Sequence, residues 1–323
     1  MVCYSPLRGI VTPDGERIFG KTAHSSGVVD SRSFVYSCGR CVGCCLRRSR
    51  DLAVRCVHQS RSVDPSTCHF LTFTHSDASL PRLDDGRPTL DKTLMPSMFK
   101  RLRKNTGVPG MKFLQVGEYG TNTLRPHYHA VVFGLPLPDL RPYKKGRFGH
   151  QLYNSKILQD AWQDRGHVVV GSFSFDTAQY CARYMLDKQL HADYTSSETI
   201  SIETGEVMSP QVEHVTMSRG GRGGRGLAYD FFEENHRRFF TLGSCVIGNK
   251  CLPIPRYYSD LLQKRADDGC DDSNWLLFDY RKNCTLRYAQ ADYMDDRQLL
   301  LAKTAKESYI KSHVRDVVSL AMT

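Results

Sequence analysis

The stretch RPHYHAVVFG, residues 125–134, sets two histidines one residue apart in a run that otherwise reads as a buried strand. Side chains alternate between faces along a strand, so His127 and His129 share one face while Tyr128, Ala130 and Val132 take the other. Two neutral imidazoles at a fixed separation are two ligands for a divalent cation, and a third is expected nearby. Glu118 stands on the preceding strand-like run, MKFLQVGEYG (111–120), and a hairpin through TNTL brings its carboxylate beside the imidazoles. Two nitrogens and one oxygen leave coordination positions open for a substrate oxygen, which suits Mg²⁺ or Mn²⁺ when the substrate is a phosphate. The alternative is a solvated strand face with Glu118 as a surface carboxylate. Val131 and Phe133, on the histidine face, speak for a covered strand, and buried histidines need partners.

A cation next to a phosphate still needs a nucleophile. In QYCARYMLDK, Tyr180 and Tyr184 lie four residues apart on an expected helix, hence on one face, and Lys188 extends the line by a turn. Tyrosines at this spacing also serve as ordinary amphipathic core. Phenols ionise near pH ~10 and attack poorly unless a cation favours the phenolate. A cation would also polarise the phosphate and offset the charge of the transition state. Tyrosine attack on a phosphodiester gives a phosphotyrosine ester of similar energy to the bond broken, so the cut can be resealed without ATP.

These residues need rigid elements to hold them. CVGCCLRRSRDLAVRCVHQS, from Cys41, reads as a basic amphipathic helix, CHFLTFTH (68–75) as a strand, and DKTLMPSMFKRLRKN (91–105) as a helix with a basic end. LYNSKILQDAWQDRG (152–166) predicts a helix stopped by Gly166, HVVVGSF (167–173) a buried strand, and DTAQYCARYMLDKQL (176–190) a helix capped by Asp176 or Thr177. The order β, α, β-hairpin, α, β, α implies an α+β domain, an antiparallel sheet covered by helices. Beyond residue 190 the chain turns polar. SRGGRGGRG (218–226) reads as flexible backbone, and the last forty or so residues as helical.

The chain has 323 residues with 44 Lys plus Arg against 34 Asp plus Glu, a net charge of +10. That balance draws polyanions, nucleic acid above all. No run of eighteen apolar residues appears and the first residues lack the pattern of a signal peptide, so a soluble cytosolic protein is expected.

FLTFTH, GEYG…RPHYHAVVFG and YCARYMLDK, in that order, resemble the three motifs of HUH endonucleases, the rolling-circle replication initiators, in their two-tyrosine branch. MVCYSPL, CGRCVGC with its basic helix, FKRLRK, GLAYDFF and PRYY narrow the likeness to replication initiation proteins of microviruses, gokushovirus-like phages or their prophage relatives. The likeness runs from residue 1 to about 260. It implies an RRM- or ferredoxin-like core with a mainly helical or irregular C-terminal extension. It implies His127, His129 and Glu118 as ligands of Mg²⁺ or Mn²⁺, Tyr180 and Tyr184 as nucleophiles, and Lys188 as a positioning cation. It further implies origin DNA as substrate, a host helicase and polymerase as partners, no membrane, and the bacterial host cytoplasm as location. The expected organisation is a Cys-rich segment and basic helix (1–60), a nicking core (61–195), and a Gly/Arg loop with C-terminal extension (196–323).

Arg47, Arg48, Arg50 and Arg55, then Lys100, Arg101, Arg103 and Lys104, and Arg183 on the tyrosine helix, are candidate phosphate contacts. They also fit solvated faces. Cys38, Cys41 and Cys44 carry the spacing of a structural Zn²⁺ site, but such a site wants four ligands and no second pair stands out, so reduced thiols at a helix start are the competing reading. The rival to a nicking enzyme is a non-catalytic basic nucleic-acid-binding protein with a zinc-stabilised N-terminal region. A relaxase or transposase would share the chemistry. The enzyme requires Glu118, His127 and His129 to converge on a point facing the tyrosines.

Overall fold

A computed structural model describes residues 3–14, 16–19, 32–120, 122–146, 149–187, 192–201, 203–219, 225–289, 297–298 and 300–309, the side chains of Arg32, 183–187 and 284–289 excepted. The chain divides into two compact units, residues 1–48 with 291–322, and residues 49–290. In the first, β1 (Leu7–Val11) pairs antiparallel with both β2 (Arg17–Phe19) and β3 (Arg32–Tyr36). The helix α1 (Val42–Ser60) follows.

The second unit is built on one sheet. In chain order come β4 (His69–Phe73), α2 (Leu94–Thr106), β5 (Lys112–Tyr119), β6 (Pro126–Phe133), β7 (Arg141–Lys145), β8 (Gln151–Asn154), α3 (Lys156–Trp162), β9 (Val168–Ser172) and α4 (Phe175–Asp187). A short α5 (Ala192–Thr195), the pair β10 (Thr199–Ile200) and β11 (Val207–Met208), and β12 (His214–Met217) follow. Seven strands form an antiparallel sheet in the order β12-β5-β6-β4-β9-β8-β7. With helices on both faces this is the α+β class expected from the sequence.

Every residue of β6 is buried, so the period-two alternation sorts its side chains between two cores. Tyr128, Ala130 and Val132 join Leu71 and Phe73 beneath Met98, Phe99 and Leu102 of α2 and Trp162 of α3. Val131 and Phe133, with Leu114 and Val116, meet Leu52, Ala53 and Cys56 of α1 and Ala178, Cys181 and Ala182 of α4. Each such side chain contributes about 1.5–3 kcal/mol when fully buried, so both covers hold the sheet.

A helical region carries the chain onward: α6 (Tyr229–Leu242), a hairpin of β13 (Cys245–Ile247) and β14 (Lys250–Leu252), α7 (Arg256–Asp267) and α8 (Asp271–Ala289). Phe232, Phe239, Phe240, Tyr258 and Leu262 form its core. His58 of α1 stacks there on Phe231 and Phe239, with ring centroids 4.4 and 5.3 Å away, and its Nδ1 lies 2.9 Å from the Tyr258 hydroxyl.

The helix expected over 152–166 is split. Gln151–Asn154 is strand β8, with Tyr153 paired to Val170 of β9. The helix begins only after Ser155, whose Oγ accepts from the Leu158 amide, and it ends at Gln163 in the left-handed region (φ 60°) before Gly166 is reached. At the tyrosine helix the capping residue is Ser174 rather than Asp176 or Thr177. The Thr177 amide donates to Ser174 Oγ while the Ser174 amide donates to Thr177 Oγ1, a reciprocal cap that satisfies two orphan donors.

Burial lowers the His58 pKa to about 3. A depressed imidazole is neutral when folded, so as pH falls below the unfolded value near ~6.5 the unfolded chain takes up a proton that the fold refuses. The melting temperature should therefore fall from pH 6.5 towards pH 4, and less steeply in His58→Phe. Equal slopes for the two proteins, read by circular dichroism, would remove His58 as a cause.

Candidate active site

The hairpin β5–β6 pairs Glu118 directly with His127 and Val116 with His129. All three polar side chains leave the sheet on the face covered by α1 and α4, and all are buried: Glu118 at 1% exposure, His127 at 4%, His129 at 2%. Glu118 Oε1 is hydrogen-bonded by His127 Nε2 and lies 3.1 Å from His129 Nε2. The other ring nitrogens are held from behind. His127 Nδ1 donates to the Arg125 carbonyl oxygen at 3.1 Å, and His129 Nδ1 lies 2.9 Å from Thr72 Oγ1.

α4 delivers the phenol. Its Ala178, Cys181 and Ala182 pack on the sheet, which turns Tyr180 towards the cluster. The Tyr180 hydroxyl donates to Glu118 Oε1 at 3.1 Å and stands 3.5 Å from His129 Nε2. Phe70 of β4 stacks on the His129 ring and meets the Tyr180 ring edge-on, fixing both. Tyr184 follows one turn later on the same helix. The side chains of Arg183 and Tyr184, and Lys188 altogether, lie outside the described residues.

Charge balance in the cluster is tight. Burial would push the Glu118 carboxyl up, but His129 and His127 together outweigh it and hold it down at about 2. Burial pulls His127 down, yet attraction to Glu118 and its hydrogen bond lift it above the ordinary imidazole value. At His129 burial wins over Glu118, and the ring is held below that value. Glu118 Oε2 is buried without a hydrogen-bond partner. One ligand atom from each of Glu118, His127 and His129 lies within 4.8 Å of the others. Two imidazole nitrogens, a carboxylate and an orphaned carboxylate oxygen fit a divalent cation that keeps positions open for oxygen ligands.

The basic candidates are dispersed. Lys100 and Lys104 are exposed on α2, which covers the sheet face opposite the histidines. Arg101 donates to the Ala161 carbonyl and Arg103 to that of Met111. Arg47 reaches Cys44 Sγ, Arg48 the Gly39 carbonyl, and Arg50 pairs with Asp51. Arg55 is not available to a phosphate. It is buried, donates to the Leu227 carbonyl at 3.1 Å, and sits 3.8 Å over the Tyr257 ring. Most of the Gly/Arg segment, residues 220–224, lies outside the described residues.

Sequence reasoning passed over Thr72 and Phe70. Thr72 is the direct antiparallel partner of His129, and the alternation of FLTFTH already set it and Phe70 on one face. His75 of the same motif packs instead against Tyr128 and Trp162.

An antiparallel sheet that presents buried histidines and a glutamate from paired strands to a helical tyrosine defines a candidate phosphoryl-transfer protein. The family model for the ORF2-type replication-associated protein matches residues 68–189, the segment that carries all these groups. The chain is 29% identical to "Replication-associated protein ORF2" of Spiroplasma virus 4 over 83% of its length and 82% of that protein. It is 27% identical to "Replication-associated protein VP4" of Bdellovibrio phage phiMH2K, over 92% and 88% respectively. With "Replication-associated protein ORF4" of Chlamydia phage 1 it shares 30% identity over 74% of this chain and 56% of that one. No solved structure matches it. The chain is thus a homologue of phage replication-associated proteins.

The opposed effects at His127 predict its titration. In protein freed of metal by chelation, the imidazole should titrate above the ordinary value by NMR. Glu118→Gln should drop it below its wild-type value, towards the range burial favours. An unchanged titration would mean that the carboxylate is not what holds the proton on His127.

Proposed function

We propose that this chain is a rolling-circle replication initiator that nicks one DNA strand at an origin by attack of Tyr180. The observation that carries the proposal is the Tyr180 hydroxyl 3.1 Å from Glu118 Oε1 and 3.5 Å from His129 Nε2, with His127 completing the cluster. Bound by Glu118, His127 and His129, Mg²⁺ or Mn²⁺ would polarise the scissile phosphate and offset transition-state charge.

The chain's own groups do the rest. Phe70 and the packed face of α4 hold the phenol at the cluster, and the carbonyl of Arg125 and the hydroxyl of Thr72 fix how the two rings point. As the Tyr180 oxygen bonds to phosphorus, its proton leaves along the hydrogen bond to Glu118. The bond from phosphorus to the 3′-oxygen breaks and that oxygen takes up a proton. The products are a 5′-phosphotyrosine ester and a 3′-hydroxyl that can prime synthesis. Tyr184, a turn away, would cut the regenerated origin while Tyr180 is still occupied, and the freed 3′-hydroxyl would close the displaced circle. Lys188 would steady the phosphate. Origin DNA is the substrate, with the host's helicase and polymerase as partners in the host cytoplasm. Among the described residues no helix is long and apolar enough to cross a membrane.

The test incubates the protein and Mn²⁺ or Mg²⁺ with single-stranded oligonucleotides tiled across the cognate genome, then looks for a covalent adduct by denaturing electrophoresis. The adduct should need metal, persist in weakened form in Tyr180→Phe or Tyr184→Phe, and vanish in the double variant and in His127→Ala. Thr72→Val should weaken Mn²⁺ binding by about 10- to 100-fold, because His129 loses the partner that orients it. Tight DNA binding with no adduct on any oligonucleotide would favour a non-catalytic nucleic-acid-binding protein instead.

A further inference from the structure

Among the described residues, one cluster of ligand-type side chains stands out besides the active site, in the unit formed by residues 1–48 with 291–322. Cys38, Cys41 and Cys44 follow one another at the turn into α1, and Cys3, far upstream in sequence, comes in from the N-terminal segment. We propose that Cys3, Cys38, Cys41 and Cys44 form a structural zinc site that staples the N-terminal segment to the start of α1.

Geometry is the first support. The four sulfurs lie within 4.8 Å of one another. Cys3 Sγ is 3.6 Å from Cys38 Sγ and 3.8 Å from Cys41 Sγ. With Zn–S bonds of ~2.3 Å, the edge of a sulfur tetrahedron is about 3.8 Å, so these spacings are those of thiolates around one ion. Bonded sulfurs would lie at about 2.05 Å, and all four cysteines are free.

The backbone is the second support. The Arg40 and Cys41 amides donate to Cys38 Sγ at 3.4 and 3.3 Å, the Cys38 amide to Cys3 Sγ at 3.3 Å, and the Tyr4 amide to Cys41 Sγ at 3.3 Å. Gly39, at φ 73°, permits the tight turn that aims the first two. Amides converging on sulfur spread the negative charge that a set of metal-bound thiolates accumulates. Arg47, with its NH2 group 3.9 Å from Cys44 Sγ, adds a cation.

Need is the third support. Strands β1, β2 and β3 show mostly exposed or half-buried residues, with Leu7, Phe19 and Val35 among the exposed apolar ones. The described buried side chains of this unit are those of the cysteine turn: Cys41, Val42, Cys44 and Cys45. A small unit with so little core requires a cross-link, and a closed four-thiolate zinc site supplies one without redox chemistry.

The full-length protein, purified without added chelator, should carry one zinc per chain by elemental analysis. His127→Ala/His129→Ala should keep that zinc, which separates this site from the active-site cluster, and so should Cys251→Ser, an exposed thiol elsewhere. Cys38→Ser/Cys41→Ser should lose it. Should that variant fail to fold, the intact wild type still decides. Capping its thiols with a mercurial should release zinc to a colorimetric dye, and Co²⁺ replacement should give thiolate-to-cobalt charge-transfer absorption. The proposal is overturned by protein free of zinc, by iron in its place, by zinc that departs with the histidines rather than the cysteines, or by a disulfide among the four in non-reducing mass spectrometry.

Discussion

One cross-strand pairing, Glu118 against His127 in the hairpin β5–β6, decides where the rest of the active site must be. A slip of a single residue would send the carboxylate to the opposite sheet face from the imidazoles, because strand side chains alternate with period two. Several constraints forbid the slip. The connecting turn closes with the Gly120 amide on the Arg125 carbonyl, and Leu124 takes a left-handed φ of 52°. Gly117 lies opposite Tyr128, where an added Cβ would come within 3.0 Å of the Tyr128 ring and 2.8 Å of His214. Shifting the register would put a side chain where only hydrogen fits.

The same alternation divides labour within three residues. His127 and His129 look towards α4, while Tyr128 between them looks the other way, its hydroxyl donating to the Asp91 carbonyl and accepting from the Asp91 amide, both at 2.9 Å. The middle residue thereby ties β6 to the segment that leads into α2, on the face where no chemistry occurs. Burying three titratable groups side by side is costly unless each is paired, and here each is held at more than one atom. Those hydrogen bonds place the imidazole nitrogens before any cation or phosphate arrives, so little reorganisation is left for the reaction itself.

Much of this was legible in the sequence because it follows from period. Alternation in RPHYHAVVFG and MKFLQVGEYG, and the i, i+4 spacing of the tyrosines, are local signals that tertiary packing had no reason to override. The pieces that escaped depend on distant partners. QLYN carries too little β signal to be told from a helix start until Val170 is known to lie beside it. Arg55 looks like its basic neighbours until the Leu227 carbonyl, far along the chain, claims its guanidinium. Cys3 is an isolated cysteine in sequence, and only folding sets it against the Cys38 turn. Thr72 was within reach: pairing strands by parity alone would have set it opposite His129.

The two ligand clusters differ in a way that bears on metal selection. Glu118, His127 and His129 offer one hard oxygen and two imidazole nitrogens, with positions left for water and phosphate oxygen, a set that hard cations such as Mg²⁺ and Mn²⁺ occupy without closing it. Cys3, Cys38, Cys41 and Cys44 offer four soft sulfurs and no open position, which selects zinc and leaves no room for a substrate. A chain that held both kinds of ion in similar donors would lose its active-site metal to the tighter-binding one, since zinc outranks manganese at most nitrogen and oxygen sites. Separate donor chemistries let one ion be permanent and the other exchangeable. The permanent ion stiffens a unit that lacks a core, and the exchangeable one meets the phosphate beside Tyr180.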